Sequence, residues 1–527
     1  MRYWVGVVAS FVAFATPAHA EWWEAKTDHF IVYSESSQSD ARSFAESLER
    51  FDMSLRSLQN IKFSPATSDS RRLTVFRMGD TGDIGRLAGA SGIAGFYIPR
   101  LGGSVSFTPA RLGLPEAGSI TASRRDSRTN LDPKSVLFHE YGHHFMFQHF
   151  SAAYPSWYVE GFAETAATIV LKPDGSFHVG DPPQYRSDAI FSGAMASAKD
   201  MLTSTDKPDF IDFYSHYVTG WLLNHYLSFG GARPGQLTNY LRLINKGTTP
   251  GDAAKQAFGD LNKLDGELVR YRNSHRLGGA DVRIVDYASP TVTMRKLNDD
   301  EEAVMKVTAR SKRGVDKKRA GGVARDAKAI AAKYPRSFAV QLELAKAELD
   351  LSDFEPQSLA QAEAAVDRAL SLRPNSVEAM LLKGRVYLER GKTDKGQLAV
   401  ARTWFARANE QDPEHPAPLY YDYLTYHEAG GAIPESALVG LERAYTFAPF
   451  DPELRLVLTR QLLAEKKGPL ARSVLMPNAI SPHESKGAKK MREVMDLIDA
   501  NKIDEAYTKL AAEMAEQERK RKAGDDD

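Results

Sequence analysis

The stretch from 139 to 144 reads HEYGHH and holds residue types that can bind a metal ion and move a proton. On a helix, His139 and His143 are four residues apart and lie on one face, so both imidazoles can reach the same ion. Glu140, beside the first histidine, can act on a molecule bound to that ion. The chain contains no cysteine, so any metal ligand must be His, Asp or Glu. The HExxH pattern therefore predicts a zinc-type site with a general base.

Two continuations of the chain offer a third ligand. One is His149, which stands where the HExxHxxGxxH pattern has its third histidine, although Met146 occupies the glycine position that ends the helix in that pattern. In an unbroken helix His149 points roughly 120° away from His143, because successive residues turn by about 100°. The other is YPSWYVEGFAETAA, in which Glu160 and Glu164 are four residues apart and share a helix face. The second continuation is favoured.

HEYGHH followed by WYVEGFAE resembles the gluzincin zinc metallopeptidases, most closely aminopeptidase-N-type enzymes and their bacterial peptidase-MA-like relatives. The resemblance implies that Zn²⁺ is held by His139, His143 and Glu160. It also implies that Glu140 is the general base and that Glu164 orients the ring of His139. The expected activity is hydrolysis of peptide bonds by a zinc-activated water.

The same resemblance implies a tyrosine that stabilises the oxyanion of the reaction intermediate. In the aminopeptidases this tyrosine belongs to a Y-x-K-G segment. Here Tyr217 begins YVTG, with Thr219 in place of the lysine. Tyr217 is the candidate, Tyr214 and His216 are alternatives, and packing within an aromatic-rich helix is another interpretation of Tyr217.

The substrate is indicated only in outline. Aminopeptidases of this clan hold the free amine of the substrate with a glutamate of a G-x-M-E-N segment, and the stretch from Gly95 to Pro109 contains no glutamate. An endopeptidase is therefore favoured, with an extended peptide held by strand addition. The alternatives are a protein-binding scaffold without turnover, which does not need Glu140, and a zinc amidase of cell-wall peptides. The histidines expected to pack rather than bind metal are His144, His149 and His225.

The elements around these motifs predict an α+β fold, with a small sheet and a helical zincin-type region over 21–275. The strand runs are HFIVYS, LTVFRM, GFYIPR and SVSFTP. Asp132 followed by Pro133 predicts the start of the helix that carries HEYGHH. A second helix is predicted from about Ser156 to Leu171. Further predicted helices are 39–58, 212–228, 235–245 and 252–273, and a linker is expected over 276–296.

The last third of the chain has a repeating pattern. Pro374, Pro413 and Pro449 each follow an alanine by five residues, a large apolar residue by eight and a second alanine by twelve. The pattern resembles the second helix of tetratricopeptide repeats, and Gly384 and Tyr387 fall where that family has its first-helix glycine and tyrosine. The resemblance implies an all-α solenoid that recognises proteins.

These repeats are expected over 297–515 and a disordered charged tail over 516–527. If the repeats only recruit protein substrates, removing 297–527 should leave the cleavage of short peptides intact. Residues 1–20 combine Arg2, an apolar run and a terminal Ala-His-Ala, the pattern of a cleavable secretory signal. The mature chain is therefore expected to be periplasmic or secreted, without a membrane span. Because 68 basic residues balance 68 acidic ones, nucleic acid is not an expected partner, whereas peptide or protein substrates are.

Overall fold

The molecule is described here by a computed structural model. It describes residues 21–90, 93, 95–111, 133–150, 152, 154–184, 190–191, 195–203, 210–274, 277–479 and 486–524. The predicted signal at 1–20 lies outside these residues.

A six-stranded sheet of order β4-β5-β3-β2-β1-β9 organises the N-terminal region. Strands β2, β3 and β5 are parallel neighbours, and the pairs β1–β2, β1–β9 and β4–β5 are antiparallel. The four predicted strand runs are confirmed as β2 to β5. A second sheet has the order β6-β7-β8. The strands are β1 (Trp22–Lys26), β2 (Phe30–Glu35), β3 (Leu73–Arg77), β4 (Phe96–Ile98), β5 (Val105–Thr108), β6 (Val170–Leu171), β7 (Ser176–Val179), β8 (Ala280–Arg283) and β9 (Thr293–Lys296).

The helices of this region are α1 (Gln38–Leu58), α2 (Thr81–Ala88), α3 (Pro133–His149), α4 (Ser156–Ala167), α5 (Ala198–Thr203), α6 (Phe210–Phe229), α7 (Gln236–Asn245), α8 (Pro250–Phe258) and α9 (Leu261–Asn273). Apolar residues of α1 and α3 pack on one face of the sheet, and the stacked rings of Phe51 and Phe138 lie 3.8 Å apart. The predicted helix start at Ser156 is confirmed. Helix α3 is helical from Pro133, the first residue after a gap in the description, and the predicted N-cap Asp132 lies outside the described residues. Helix α4 ends at Ala167 rather than Leu171, because the chain then forms β6 against β7.

The segment 276–296, expected to be a linker, contributes a strand to each sheet. β8 pairs with β7, and β9 pairs with β1 at the edge of the larger sheet. The sequence of β9 is TMRK, which lacks the apolar alternation of a half-buried strand because most of its side chains face solvent. Arg295 in β9 pairs with Glu24 across the strand at 2.8 Å. The linker expectation is therefore wrong for the described part of this segment.

The C-terminal region is a row of helices that pack in chain order. They are α10 (Asp299–Arg313), α11 (Lys317–Lys333), α12 (Phe338–Ser352), α13 (Ser358–Leu372), α14 (Val377–Gly391), α15 (Gln397–Gln411), α16 (Pro416–Ala429), α17 (Glu435–Phe447), α18 (Pro452–Ala464), α19 (Gly468–Ala479), α20 (Lys486–Asp499) and α21 (Ile503–Ala523). The alanines and large apolar residues at the repeat offsets are buried, and each marker proline follows the end of a helix. No helix among the described residues has the length and apolar character needed to cross a membrane.

The predicted disordered tail is helical as far as Ala523, so that expectation is wrong for 516–523. Helix α21 carries charge pairs three and four residues apart, which stabilise an exposed helix. Arg521 also pairs with Asp353, just beyond α12, at 2.7 Å. This contact fixes the last helix against an earlier part of the row.

The two regions share an extended interface. Helix α10 covers the sheet through Met305 and Ala309, which belong to one apolar cluster with Trp22 and Phe107. Farther along, the backbone N–H of Leu101, in the turn between β4 and β5, donates to the carboxylate of Asp451 at 2.8 Å. The helical row therefore covers a face of the sheet and also contacts the hairpin beside α3.

Candidate metal centre

Two helices bring three side chains together. His139 and His143 on α3 have their Nε2 atoms 3.2 Å apart. The Oε2 atom of Glu160 on α4 lies 3.4 Å from Nε2 of His139 and 3.7 Å from Nε2 of His143. His143 and Glu160 are buried, and His139 is partly exposed. The three residues predicted as metal ligands thus meet at one point.

The donor set and spacing fit a zinc ion. Two donors about 2.05 Å from a tetrahedral ion are about 3.3 Å apart, and the three observed separations lie between 3.2 and 3.7 Å. Two imidazoles and a carboxylate are also the donors of a catalytic zinc site, which keeps one position open. The residues present therefore suit a catalytic metal better than a closed structural one.

Three glycines allow the helices to come this close. A Cβ on Gly142, inside HEYGHH, would lie 3.1 Å from the Cα of Ala163 on α4. A Cβ on Gly161 would lie 2.5 Å from the carbonyl oxygen of Gly220 on α6, and one on Gly220 would lie 2.8 Å from the carbonyl oxygen of Trp157. The backbones of α3, α4 and α6 are thus in near contact at the site. A larger side chain at Gly142 would push α3 away from α4 and separate the histidines from Glu160, and one at Gly161 or Gly220 would push α4 away from α6.

Burial and the neighbouring charges have opposing effects on the pKa values of His139 and Glu140. Burial disfavours a charged ring at His139, but the hydrogen bond to Glu160 and the nearby carboxylates of Glu164 and Glu140 outweigh it and raise the pKa of His139 to about 9. Burial raises the pKa of Glu140 to about 7, a rise that the charge of His139 reduces and the charge of Glu160 increases. The crowded carboxylates favour a cation at this point.

Two further candidates lie next to the ligands. Glu164 is fully buried, and its Oε1 atom is 3.7 Å from Nδ1 of His139, on the side of the ring opposite Glu160. That separation is longer than a hydrogen bond but places the carboxylate where it can orient the ring. The ring of Tyr217 on α6 stacks near that of His139 at 6.4 Å. The side chains of Tyr214 and His216 lie outside the described residues.

The other histidines lie away from the three donors. Helix α3 runs unbroken through Met146 to His149, whose ring packs 4.6 Å from that of Phe145. His149 is not part of the donor group, so the third-histidine alternative does not fit this geometry. His144 is buried and lies 2.9 Å from the hydroxyl of Tyr97. Burial lowers the pKa of His144 to about 3, which keeps the ring neutral.

A second buried group contains His29, Glu49 and Asp52. Nδ1 of His29 lies 2.6 Å from Glu49, and Asp52 bonds the guanidinium of Arg56 at 2.5 Å and the hydroxyl of Tyr141 at 2.6 Å. Because Arg56 already supplies the positive charge, this group is an ion-paired network rather than a metal site. Through Tyr141 it anchors α3 to α1.

Sequence reasoning missed the role of Tyr97 and of the glycines. The backbone of Tyr97 on β4 hydrogen-bonds the carboxylate of Glu140, which links the sheet edge to the candidate base. Gly95 permits this approach, since a Cβ there would lie 2.6 Å from Val136 on α3. The sequence feature that could have predicted these close approaches is the single glycine in each of GFYIPR, HEYGHH and YVTG. Comparison of the chain with protein-family models, curated proteins and solved structures found no match.

Proposed function

We propose that the protein is an exported zinc-dependent metallopeptidase of the gluzincin type, with an endopeptidase activity. The observation that carries this proposal is the convergence of His139, His143 and Glu160 at separations of 3.2 to 3.7 Å, with Glu140 beside them. These three residues would hold Zn²⁺, and the bound ion would supply Lewis acidity toward water and the substrate carbonyl.

Glu140 is the general base of this proposal. The charges of His139 and Glu160 act on its carboxylate, so it lies beside the proposed ligands. A bound cation would favour its ionised, proton-accepting form, since an opposite charge favours the carboxylate. Glu140 accepts a proton from the attacking water and returns it to the leaving nitrogen. The backbone of Tyr97 orients the carboxylate for both transfers.

Tyr217 is the proposed donor to the oxyanion. It lies on α6, whose close approach to α4 at Gly161 and Gly220 brings the tyrosine ring beside that of His139. A phenolic hydroxyl there donates a hydrogen bond to the oxygen that becomes negative as water adds. Tyr217→Phe should lower kcat by about 100-fold while the zinc content stays unchanged, which corresponds to about 3 kcal/mol.

The edge of the larger sheet is the proposed substrate site. Among the described residues β4 pairs only with β5, so its other edge can pair with an extended peptide next to Glu140. The stretch from Gly95 to Pro109 has no glutamate to bind a free amine. Cleavage within a peptide chain is therefore favoured over removal of its first residue. The helical region is the proposed site for a protein substrate or partner.

The test is mass spectrometry of a mixed peptide library incubated with residues 21–527. Wild-type protein with zinc should cut peptides internally, whereas Glu140→Gln with equal zinc content and chelated wild type should not. His149→Asn is the matched control and should cut at the wild-type positions. Zinc-loaded wild type that leaves the whole library intact, or Glu140→Gln that cuts as fast as wild type, would contradict the proposal. Cleavage of cell-wall fragments alone would favour the amidase alternative.

A further inference from the structure

A cavity of about 530 Å³ opens between the larger sheet and the first two helices of the C-terminal region. One wall contains Glu35 at the end of β2, Met78 after β3 and Arg111 after β5. The opposite wall comes from α10 and α11. Because β2, β3 and β5 are parallel, the cavity lies beyond their carboxyl ends, where open α/β sheets commonly bind ligands.

The cavity concentrates positive charge. Six arginines and two lysines line it against three carboxylates, a surplus of five charges. The whole chain has equal numbers of basic and acidic residues, so the surplus is local. A focused field of this kind attracts anions.

The three carboxylates of the lining are already engaged. Asp83 pairs with Arg86 at 2.5 Å, and Asp326 pairs with Arg310 at 2.8 Å. Glu35 accepts the backbone N–H of Gly79 at 2.9 Å. Arg319 pairs with Asp316, which lies outside the lining, at 2.9 Å. Lys306 and Arg325 lie 4.0 Å and 3.6 Å from Glu35 and Asp326.

Three of these cations have no carboxylate partner. In the described part of the chain, the charged groups of Arg111, Arg313 and Lys318 have no acidic oxygen within 4.0 Å. Arg313 instead donates to the carbonyl oxygen of Ala88 at 2.7 Å. Burial and the neighbouring charge of Arg319 lower the pKa of Arg313. Like charges are thus held close together at the junction of the two regions.

We propose that this cavity binds a small ligand that carries several phosphate groups. Guanidinium groups match the oxygens of phosphate in pairs, and arginines outnumber lysines here. A phosphate carries about −1.5 to −2 charges near neutral pH, so about three of them balance the surplus. The cavity also has the volume of a small-molecule site. Met78, Leu87 and Val323 supply apolar surface for the carbon part of the ligand.

The ligand would connect the two regions, because its cationic partners lie on both. Bound ligand should therefore stabilise the folded chain against heat. This site is separate from the metal centre, since none of its lining residues belongs to the donor group. It would act whether or not the peptidase proposal holds.

The test is calorimetric titration of inorganic tripolyphosphate into metal-free residues 21–527 at low salt. The key variant is Arg111→Gln with Lys318→Gln, which removes two charges and breaks no ion pair within the described part of the chain. Lys333→Gln with Arg336→Gln is the matched control, because both residues are exposed and lie outside the cavity. The key variant should bind about 30-fold more weakly, as expected for the loss of two charge-assisted contacts, while the control binds like wild type.

Three outcomes would overturn the inference. They are no binding by wild type at millimolar tripolyphosphate, equal affinity of the two double variants, and preference for hexaglutamate over tripolyphosphate. The source of the phosphate is resolved by a second arm with vesicles that contain phosphatidylglycerol. Vesicle binding that the key variant loses identifies a lipid headgroup, and tripolyphosphate binding without vesicle binding identifies a soluble ligand.

Discussion

The two regions of the molecule both use glycine to bring helices together, but against different partners. At the metal centre, Gly161 faces the backbone carbonyl of Gly220, 2.5 Å from where its Cβ would be. In the helical row, Gly384 faces the ring of Phe405 at 2.4 Å. A backbone cannot move without moving its helix, whereas a ring can rotate. The first kind of contact fixes the positions of charged side chains, and the second fills a core.

The two regions are also not independent of each other. The sheet loses the cover of α10 if the helical row is removed, and the hairpin that carries β4 loses the carboxylate of Asp451. The row therefore supports the same strand that is proposed to hold substrate.

Removing residues 297–527 should abolish folding of the N-terminal region. The deletion exposes the apolar cluster that Trp22, Phe76 and Phe107 form with Met305. A chain that ends at Ala479 should stay folded, because it loses only the last two helices of the row. Size-exclusion chromatography and circular dichroism of both chains provide the measurement. A soluble, zinc-binding fragment 21–296 would show that the regions fold separately.

Gly161→Ala should lower the free energy of unfolding by about 3 kcal/mol and weaken zinc binding, because the new methyl group meets the backbone of α6. Gly384→Ala should cost about 1 kcal/mol and leave zinc affinity unchanged, since the ring of Phe405 can shift. Urea unfolding and competition with a zinc indicator measure both quantities. Equal losses of unfolding free energy for the two substitutions would contradict the proposed difference between backbone and side-chain contacts.

Asp451→Ala should destabilise the chain by about 2 kcal/mol, because the buried N–H of Leu101 and the N–H of Leu454 in the first turn of α18 both lose their acceptor. Asp451→Asn is the matched variant and should cost less, since its amide oxygen can still accept one of the two bonds. If β4 holds substrate, KM should rise in Asp451→Ala while zinc content is unchanged. Hydrogen exchange at the amide of Leu101 gives a direct readout, and unaltered protection there would refute the bracing role.

The free energy of unfolding should depend on pH in part through His225, a buried residue of α6. Burial lowers the pKa of this ring to about 4, whereas an unfolded histidine titrates near 6.5. The unfolded chain therefore binds more protons as the pH falls below about 6.5, and stability is lost on the acid side. Between pH 8 and 5.5 the loss should be about 1 kcal/mol. His225→Gln should reduce this slope, whereas substitution of the exposed His427 by Gln should change it less.

The shared face of His139 and His143 was accessible to sequence reasoning because four-residue spacing on a helix fixes it. Glu160, on another helix, was expected only from the resemblance to gluzincins. Strands β2 to β5 and the repeat positions followed from equally local patterns, whereas β1 and β6 to β8 were not predicted. Strand β9 did not, because TMRK is polar and pairs only at an edge. The hydrogen bond from the backbone of Leu101 to Asp451 joins residues 350 positions apart. No local periodicity encodes a pairing of that kind.

The most direct test of the account is zinc stoichiometry and affinity of residues 21–527, compared among wild type, Glu160→Gln and His149→Asn. We expect wild type and His149→Asn each to bind one zinc ion. Glu160→Gln should bind zinc at least about 100-fold more weakly, because it loses the charge of a ligand. A stoichiometry of one would also agree with the inference that the ion-paired network around His29 binds no zinc. Tight zinc binding by Glu160→Gln together with its loss in His149→Asn would contradict the proposed centre.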